Sequence, residues 1–144
     1  MKALTAALLV LVAACGQGRV ILNVDVLSFL AASGFHVVAE HTMDVVFKRL
    51  QDITPAQIFA TTKQVLATAP SAEGIYIPCN QWSGADAAPL IEAALGVPVV
   101  TGAHADYWEA FRSLGINDRI EGHGRLMLSL SNSAPAAAIA AARA

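Results

Sequence analysis

Short apolar runs rich in β-branched residues alternate with helical patterns along this chain, and that alternation constrains its fold more than any other feature. Leu8 to Ala14 has the length and composition of a strand buried on both faces, and Phe35 to Ala39, Gly74 to Cys79 and Val97 to Thr101 are further strand-like runs. Helical patterns separate them. Val20, Val24, Leu27 and Leu30 recur at helical spacing up to Ser33-Gly34, where Gly34 can take the left-handed conformation that ends a helix. Thr54-Pro55-Ala56-Gln57 is a capping box with proline at the first helical position, which predicts a helix over Pro55 to Ala69 that stops before Pro70. Ala85 to Leu95, closed by Gly96, and Ala105 to Leu114 are the remaining helices, while His41 to Ile53 fits either a short helical turn or a loop. Four such strand–helix units in succession predict an α/β fold with a four-stranded parallel sheet and helices on both faces. Right-handed crossovers then bring all four strand carboxyl ends to one edge, with loops beginning near Cys15, Glu40, Cys79 and Thr101.

With 144 residues the chain has room for one core, so residues 1–130 are read as a single lobe and the Ala-rich stretch 131–144 as a low-complexity tail, frayed or disordered. The formal net charge is −2 and no run of Lys or Arg could track a phosphate backbone, which argues against nucleic acid as a partner. Two cysteines, Cys15 and Cys79, stand far apart without ligand spacing, and His36, His41, His104 and His123 form no HExxH or HxH pattern. No metal site is therefore expected. Gly16-Gln17-Gly18 lacks the third glycine of a dinucleotide fingerprint and the Gly-Lys-Ser/Thr of a phosphate loop, so phosphate binding is not supported.

The N-terminus reads in two ways. Met1-Lys2, an apolar run and Val12-Ala13-Ala14-Cys15-Gly16 resemble a short secretory signal ending in a lipidation box at Cys15, which would make the protein an exported lipoprotein. Against this stand the single positive charge before the run and the absence of a polar tether after Cys15. Reading Leu8 to Ala14 as the first buried strand leads instead to a cytoplasmic protein without a membrane partner, since the run is too short to span a bilayer.

Cys79 is the first candidate for chemistry. It closes the run Gly74-Ile-Tyr-Ile-Pro-Cys79 and precedes the polar turn Asn80-Gln81-Trp82-Ser83-Gly84, at the strand edge where open parallel sheets bind ligands. A thiol has a pKa of about 8.5, and helix N-terminal amides favour its ionised form and also bind carboxylates. Asn80 and Gln81, with the amides after them, are thus candidates for a carboxylate cradle or for a plain capping turn. Thr101, at the next strand end, can serve as a helix N-cap, and His104 beside it is a candidate proton donor or a solvated loop histidine. Trp82 and Trp108 are read as packing residues, Trp108 on an inward helix face with Phe111.

Taken in order, Asn23, Phe29-Leu30-Ala31-Ala32-Ser33-Gly34-Phe35, Thr54-Pro55, Gly74-Ile75-Tyr76-Ile77-Pro78-Cys79, Leu95-Gly96-Val97-Pro98-Val99-Val100-Thr101, Trp108-Glu109-Ala110 and Gly122-His123-Gly124-Arg125-Leu126 carry a family likeness. The chain resembles the C-terminal lobe of the aspartate/glutamate racemase superfamily, nearest the maleate cis-trans isomerase and arylmalonate decarboxylase branch, from about Leu8 to Met127. The resemblance implies a flavodoxin-like three-layer lobe, one half of a two-lobed fold, and a cofactor-independent isomerase or racemase acting on a small carboxylic acid. In racemases of this kind a cysteine from each lobe flanks the substrate carbon. In the isomerases a cysteine adds to the double bond, and in the decarboxylase a single C-terminal-lobe cysteine protonates the enediolate left by loss of carbon dioxide. Cys79 matches that C-terminal-lobe cysteine in each case, and Thr101 matches a Ser or Thr that contacts the substrate carboxylate.

The sequence departs from the family pattern at four places. Pro78 and Asn80 flank the cysteine where the pattern has Ser before it and Thr or Gly after it. Gly102-Ala103-His104 stands in place of Ser-Asn-Gln, and Cys15-Gly16-Gln17-Gly18 in place of a tyrosine after the first strand. The N-terminal lobe has no counterpart here. The expectation is therefore a lobe that works as a homo-oligomer or with a missing N-terminal lobe; the alternatives are an arylmalonate-type decarboxylase and a non-catalytic, lipid-anchored or orphaned binding lobe.

Overall fold

The computed structural model describes residues 7–15, 26–45 and 47–132. Its elements are β1 (Ala7–Cys15), α1 (Val26–Ala32), β2 (His36–Val45), α2 (Pro55–Thr68), β3 (Gly74–Ile77), α3 (Gly84–Leu95), β4 (Val99–Thr101), α4 (Gly102–Ser113) and α5 (Gly124–Leu128), with short 3-10 turns at Phe47–Asp52 and Ser129–Asn132. The four strands form one sheet in the order β2-β1-β3-β4, and every neighbouring pair is parallel. The chain steps from β1 to β2 in one direction and then to β3 and β4 in the other. Right-handed crossovers thus set α1 on one face and α2 and α3 on the opposite one.

Local code explains most element ends. Thr54 caps α2 by accepting the Gln57 backbone N–H while the Gln57 side chain takes the Thr54 N–H, the reciprocal box its sequence predicts. Gly34 and Gly96 both lie at positive φ, 88° and 74°, where a Cβ is disfavoured, and they stop α1 and α3. Pro98 has no N–H to give to a ladder, and β4 begins only at Val99, later than the expected Val97.

The core lies between the sheet and the α2–α3 layer. Ile75 and Ile77 alternate inward from β3 and meet Ile58 and Val65 of α2, Ala87, Ala88 and Ile91 of α3, and Val99 of β4. The alanines on α3 let it approach α2 and the sheet closely, and full burial of each isoleucine contributes roughly 1.5–3 kcal/mol.

The structure revises the sequence reading further: β3 stops at Ile77, so Cys79 lies in the turn beyond the strand and not at its last position. β2 runs on to Val45 and absorbs the start of the ambiguous segment His41 to Ile53; its outer half carries the exposed Glu40, His41 and Thr42, which hide the strand pattern. α4 begins at Gly102 rather than Ala105, directly after β4, so no loop separates them. The first part of the expected helix from Val20, and the tail beyond Asn132, lie outside the described residues. Among the described residues no helix is long and apolar enough to cross a membrane.

The ladders also shape one edge of the sheet. β3 pairs with Leu8, Leu9 and Val10 of β1, whereas the β1–β2 ladder continues to Cys15 and Val45. The β1–β2 pair therefore overhangs the carboxyl end of β3 and walls one side of the region that the β3–α3 turn occupies.

Candidate functional site

Strand order reverses at β1, so the crevice beyond the carboxyl ends of β1 and β3 is where a doubly wound sheet receives its ligand. Pro78–Ser83 forms that turn. Cys79 is half-buried in it and rests against the edge of the core cluster. α3 starts five positions later at Gly84, and the Ser83 side chain at its N-cap makes no capping hydrogen bond. The amides of that first turn are not covered by their own cap, the arrangement that suits a carboxylate, although Asp86 in the same turn brings a negative charge.

The other sequence candidates occupy distinct surroundings. Asn80 is exposed, and its side-chain amide donates to Asp106 Oδ2 at 2.8 Å. Gln81 is exposed, and Trp82 beside it is buried at 4 % exposure as a packing residue. Thr101 is buried and caps α4, its Oγ1 accepting the His104 backbone N–H at 3.1 Å, while its methyl lies toward Gly84 at the start of α3. This ties the β4–α4 junction to the turn that carries Cys79.

His104 is a buried helix residue and not a solvated loop histidine: it is 3 % exposed, and neither ring nitrogen has a hydrogen-bond partner among the described residues. Its ring meets that of His123 edge-on at 6.3 Å. Burial pushes its pKa down, His123 adds to the effect, and the carboxylates of Glu92 and Asp86 oppose it.

Four residues to which sequence reasoning gave no site role frame the site. Asp106 sits one helical turn beyond Gly102 and holds Asn80. Tyr76, the half-buried β3 residue whose side chain lies on the face opposite Ile75 and Ile77, has its phenol held above the ordinary range, first by burial and then by the Asp106 carboxylate. Gly102 gives the turn room, since a Cβ there would overlap Asn80 Oδ1 and come within 2.9 Å of the Pro78 carbonyl. Glu92, buried in α3, accepts backbone N–H groups from Val99 at 2.9 Å and from Arg125 at 2.7 Å, binding β4 and the Gly122–Leu126 segment to α3. An acidic residue in a helix reads as a solvated face until its long-range partner is seen, so no local signal marks Asp106 or Glu92.

Trp108 and Phe111 are half-buried on α4, and the Arg112 guanidinium lies 5.4 Å from the Trp108 ring centre while pairing with Glu109. No group of three His, Cys, Asp or Glu side chains suited to hold a metal ion occurs among the described residues.

A family model described as arylmalonate decarboxylase matches residues 2–127. The chain is 41% identical over 59 residues to arylmalonate decarboxylase of Bordetella bronchiseptica, a stretch that is 40% of this chain and 25% of that one. A crystal structure of arylmalonate decarboxylase aligns with a TM-score of 0.71 and 25% identity over 88% of this chain and 54% of that one. Maleate cis-trans isomerase of Nocardia farcinica aligns with a TM-score of 0.70 and 23% identity over 89% of this chain and 51% of the isomerase, a likeness of fold. The chain spans about half the length of these solved structures.

Proposed function

Because the chain belongs to the arylmalonate decarboxylase family, we propose that it is one lobe of a two-lobed, cofactor-independent enzyme in which the Cys79 thiol acts on a small carboxylic acid. The observation that carries this reading is the half-buried thiol at the carboxyl end of β3, next to the strand-order reversal and ahead of an α3 N-terminus that its own cap leaves open. The α3 amides would take a substrate carboxylate, and Cys79 would face the carbon alpha to it.

Two reactions fit one thiol in this position. In decarboxylation, the carbon–carbon bond to a carboxylate breaks, carbon dioxide leaves, and Cys79 S–H gives its proton to the enediolate carbon. The family match and the curated relative support this outcome. In isomerisation, the thiolate adds to a double bond, the resulting single bond rotates, and the thiolate leaves again. The shared fold with maleate isomerases supports it, and one solved form of the Nocardia farcinica enzyme holds a covalently bound succinylcysteine intermediate.

The test is an assay of the concentrated chain with phenylmalonate, maleate and aspartate, with Cys79→Ala as control. Turnover of one substrate should fall by about 10²–10⁴-fold in the variant, the range a positioned acid–base group supplies. The substrate that turns over separates decarboxylation, isomerisation and racemisation, and turnover kept by Cys79→Ala removes the thiol from the mechanism.

A further inference from the structure

The turn that carries Cys79 is held from outside, by α4. Asn80 reaches across 26 positions of sequence to donate its side-chain amide to Asp106 at 2.8 Å. Its Oδ1 meanwhile lies in the space that a Cβ at position 102 would fill, and the Pro78 carbonyl borders the same space. Gly102 and Asp106 are four apart on one helix and so share a face, one providing a notch and the other an acceptor at its end. Cys79 lies between the two residues, Pro78 and Asn80, that close on this notch. Asn80 and Gly102 are also two of the positions where the chain departs from the family pattern, and the two departures touch.

We propose that Asp106 is a positioning residue for the Cys79 thiol, acting through Asn80 to keep the Pro78–Asn80 turn closed on the first turn of α4. This rests on the reading that Cys79 is the reacting thiol. A consequence follows for the carboxylate cradle. One N–H of the Asn80 side chain is given to Asp106, which leaves the backbone amides of the turn and of α3 as the main donors for a carboxylate.

The experiment measures iodoacetamide alkylation of Cys79 in the full chain across pH, mapped by peptide mass spectrometry, beside urea unfolding of each variant. Asp106→Ala and Asn80→Ala should each raise the rate at the high-pH plateau by about two- to tenfold, the span of one net hydrogen bond. The double variant should add nothing, because both changes break one link. Asp106→Asn keeps an acceptor for the Asn80 amide and should restore the wild-type plateau. A plateau unchanged in Asp106→Ala, or additive effects in the double variant, overturns the proposal, as does a rate increase that tracks loss of urea stability. Alkylation needs no turnover, so failure here stands apart from failure of the catalytic assay.

Discussion

Glu92 Oε2 accepts the backbone N–H of Arg125 at 2.7 Å across 33 positions of sequence, while its Oε1 takes the N–H of Val99 at 2.9 Å. One buried carboxylate thus satisfies donors from β4 and from the segment entering α5. Gly124, at φ 81°, passes so close that a Cβ there would sit 3.1 Å from the same carboxylate. Arg125 adds a bond from its guanidinium to the carbonyl of Gly96, the residue that ends α3. The Gly-His-Gly-Arg stretch is accordingly a docking strap, and Glu92 is its anchor.

Glu92→Gln tests that anchor. The amide keeps one acceptor but turns an N–H₂ group toward a backbone N–H, so one bond is lost and two donors face each other. Unfolding stability should drop by roughly 1–3 kcal/mol in urea titrations, the cost of a buried unsatisfied donor. A midpoint equal to wild type would mean the strap is held elsewhere.

Stability should also fall in mild acid because of His104. Its folded pKa lies below the unfolded value of 6.5, with burial the leading cause. Between those two values the unfolded state binds the extra proton, so stability rises with pH there; the contribution is full above 6.5 and is lost as pH falls toward the folded value. Comparing urea midpoints just above and below this window, His104→Gln should flatten the difference seen in wild type. An equal pH slope in both proteins would assign it to other groups.

Much of this fold is written locally. The Thr54–Gln57 box and Gly96 mark helix ends through bonds made within a few residues, and the structure bears them out. Thr101 has its capping role at a position where sequence left capping and substrate contact open. What sequence could not carry is contact between distant elements. The early start of α4 follows from Thr101 serving as both last strand residue and helix cap, and it turns His104 from loop to buried helix. The Asn80–Asp106 and Glu92–Arg125 pairs join residues 26 and 33 positions apart, which no periodicity records. The turn position of Cys79 was legible because a strand end followed by a polar stretch has a local signature, whereas the α4 residues that meet this turn have none.

Gly102 should resist enlargement. Helix propensity favours alanine over glycine by up to about 1 kcal/mol, but a methyl group here would have to displace Asn80 and press on a backbone carbonyl that cannot yield. Gly102→Ala should therefore destabilise by roughly 1–3 kcal/mol and release Asn80 from Asp106. In an Asn80→Ala background the same substitution should cost less, and strict additivity in urea titrations would show that the two side chains do not compete for one space.

Turnover by this chain should depend on its concentration. A small-molecule site has to enclose most of its ligand, and the chain spans about half the length of the solved relatives it matches. The β1–β2 overhang flanks one side of the turn that carries Cys79, and the homo-oligomer expectation is tested by asking whether a second copy completes the site. Specific activity should then climb with protein concentration in step with the dimer fraction measured by light scattering, and dilution should abolish it. If a sample of monomer mass turns over substrate at a rate per chain that dilution does not change, a single lobe is sufficient and the requirement for a second copy is wrong.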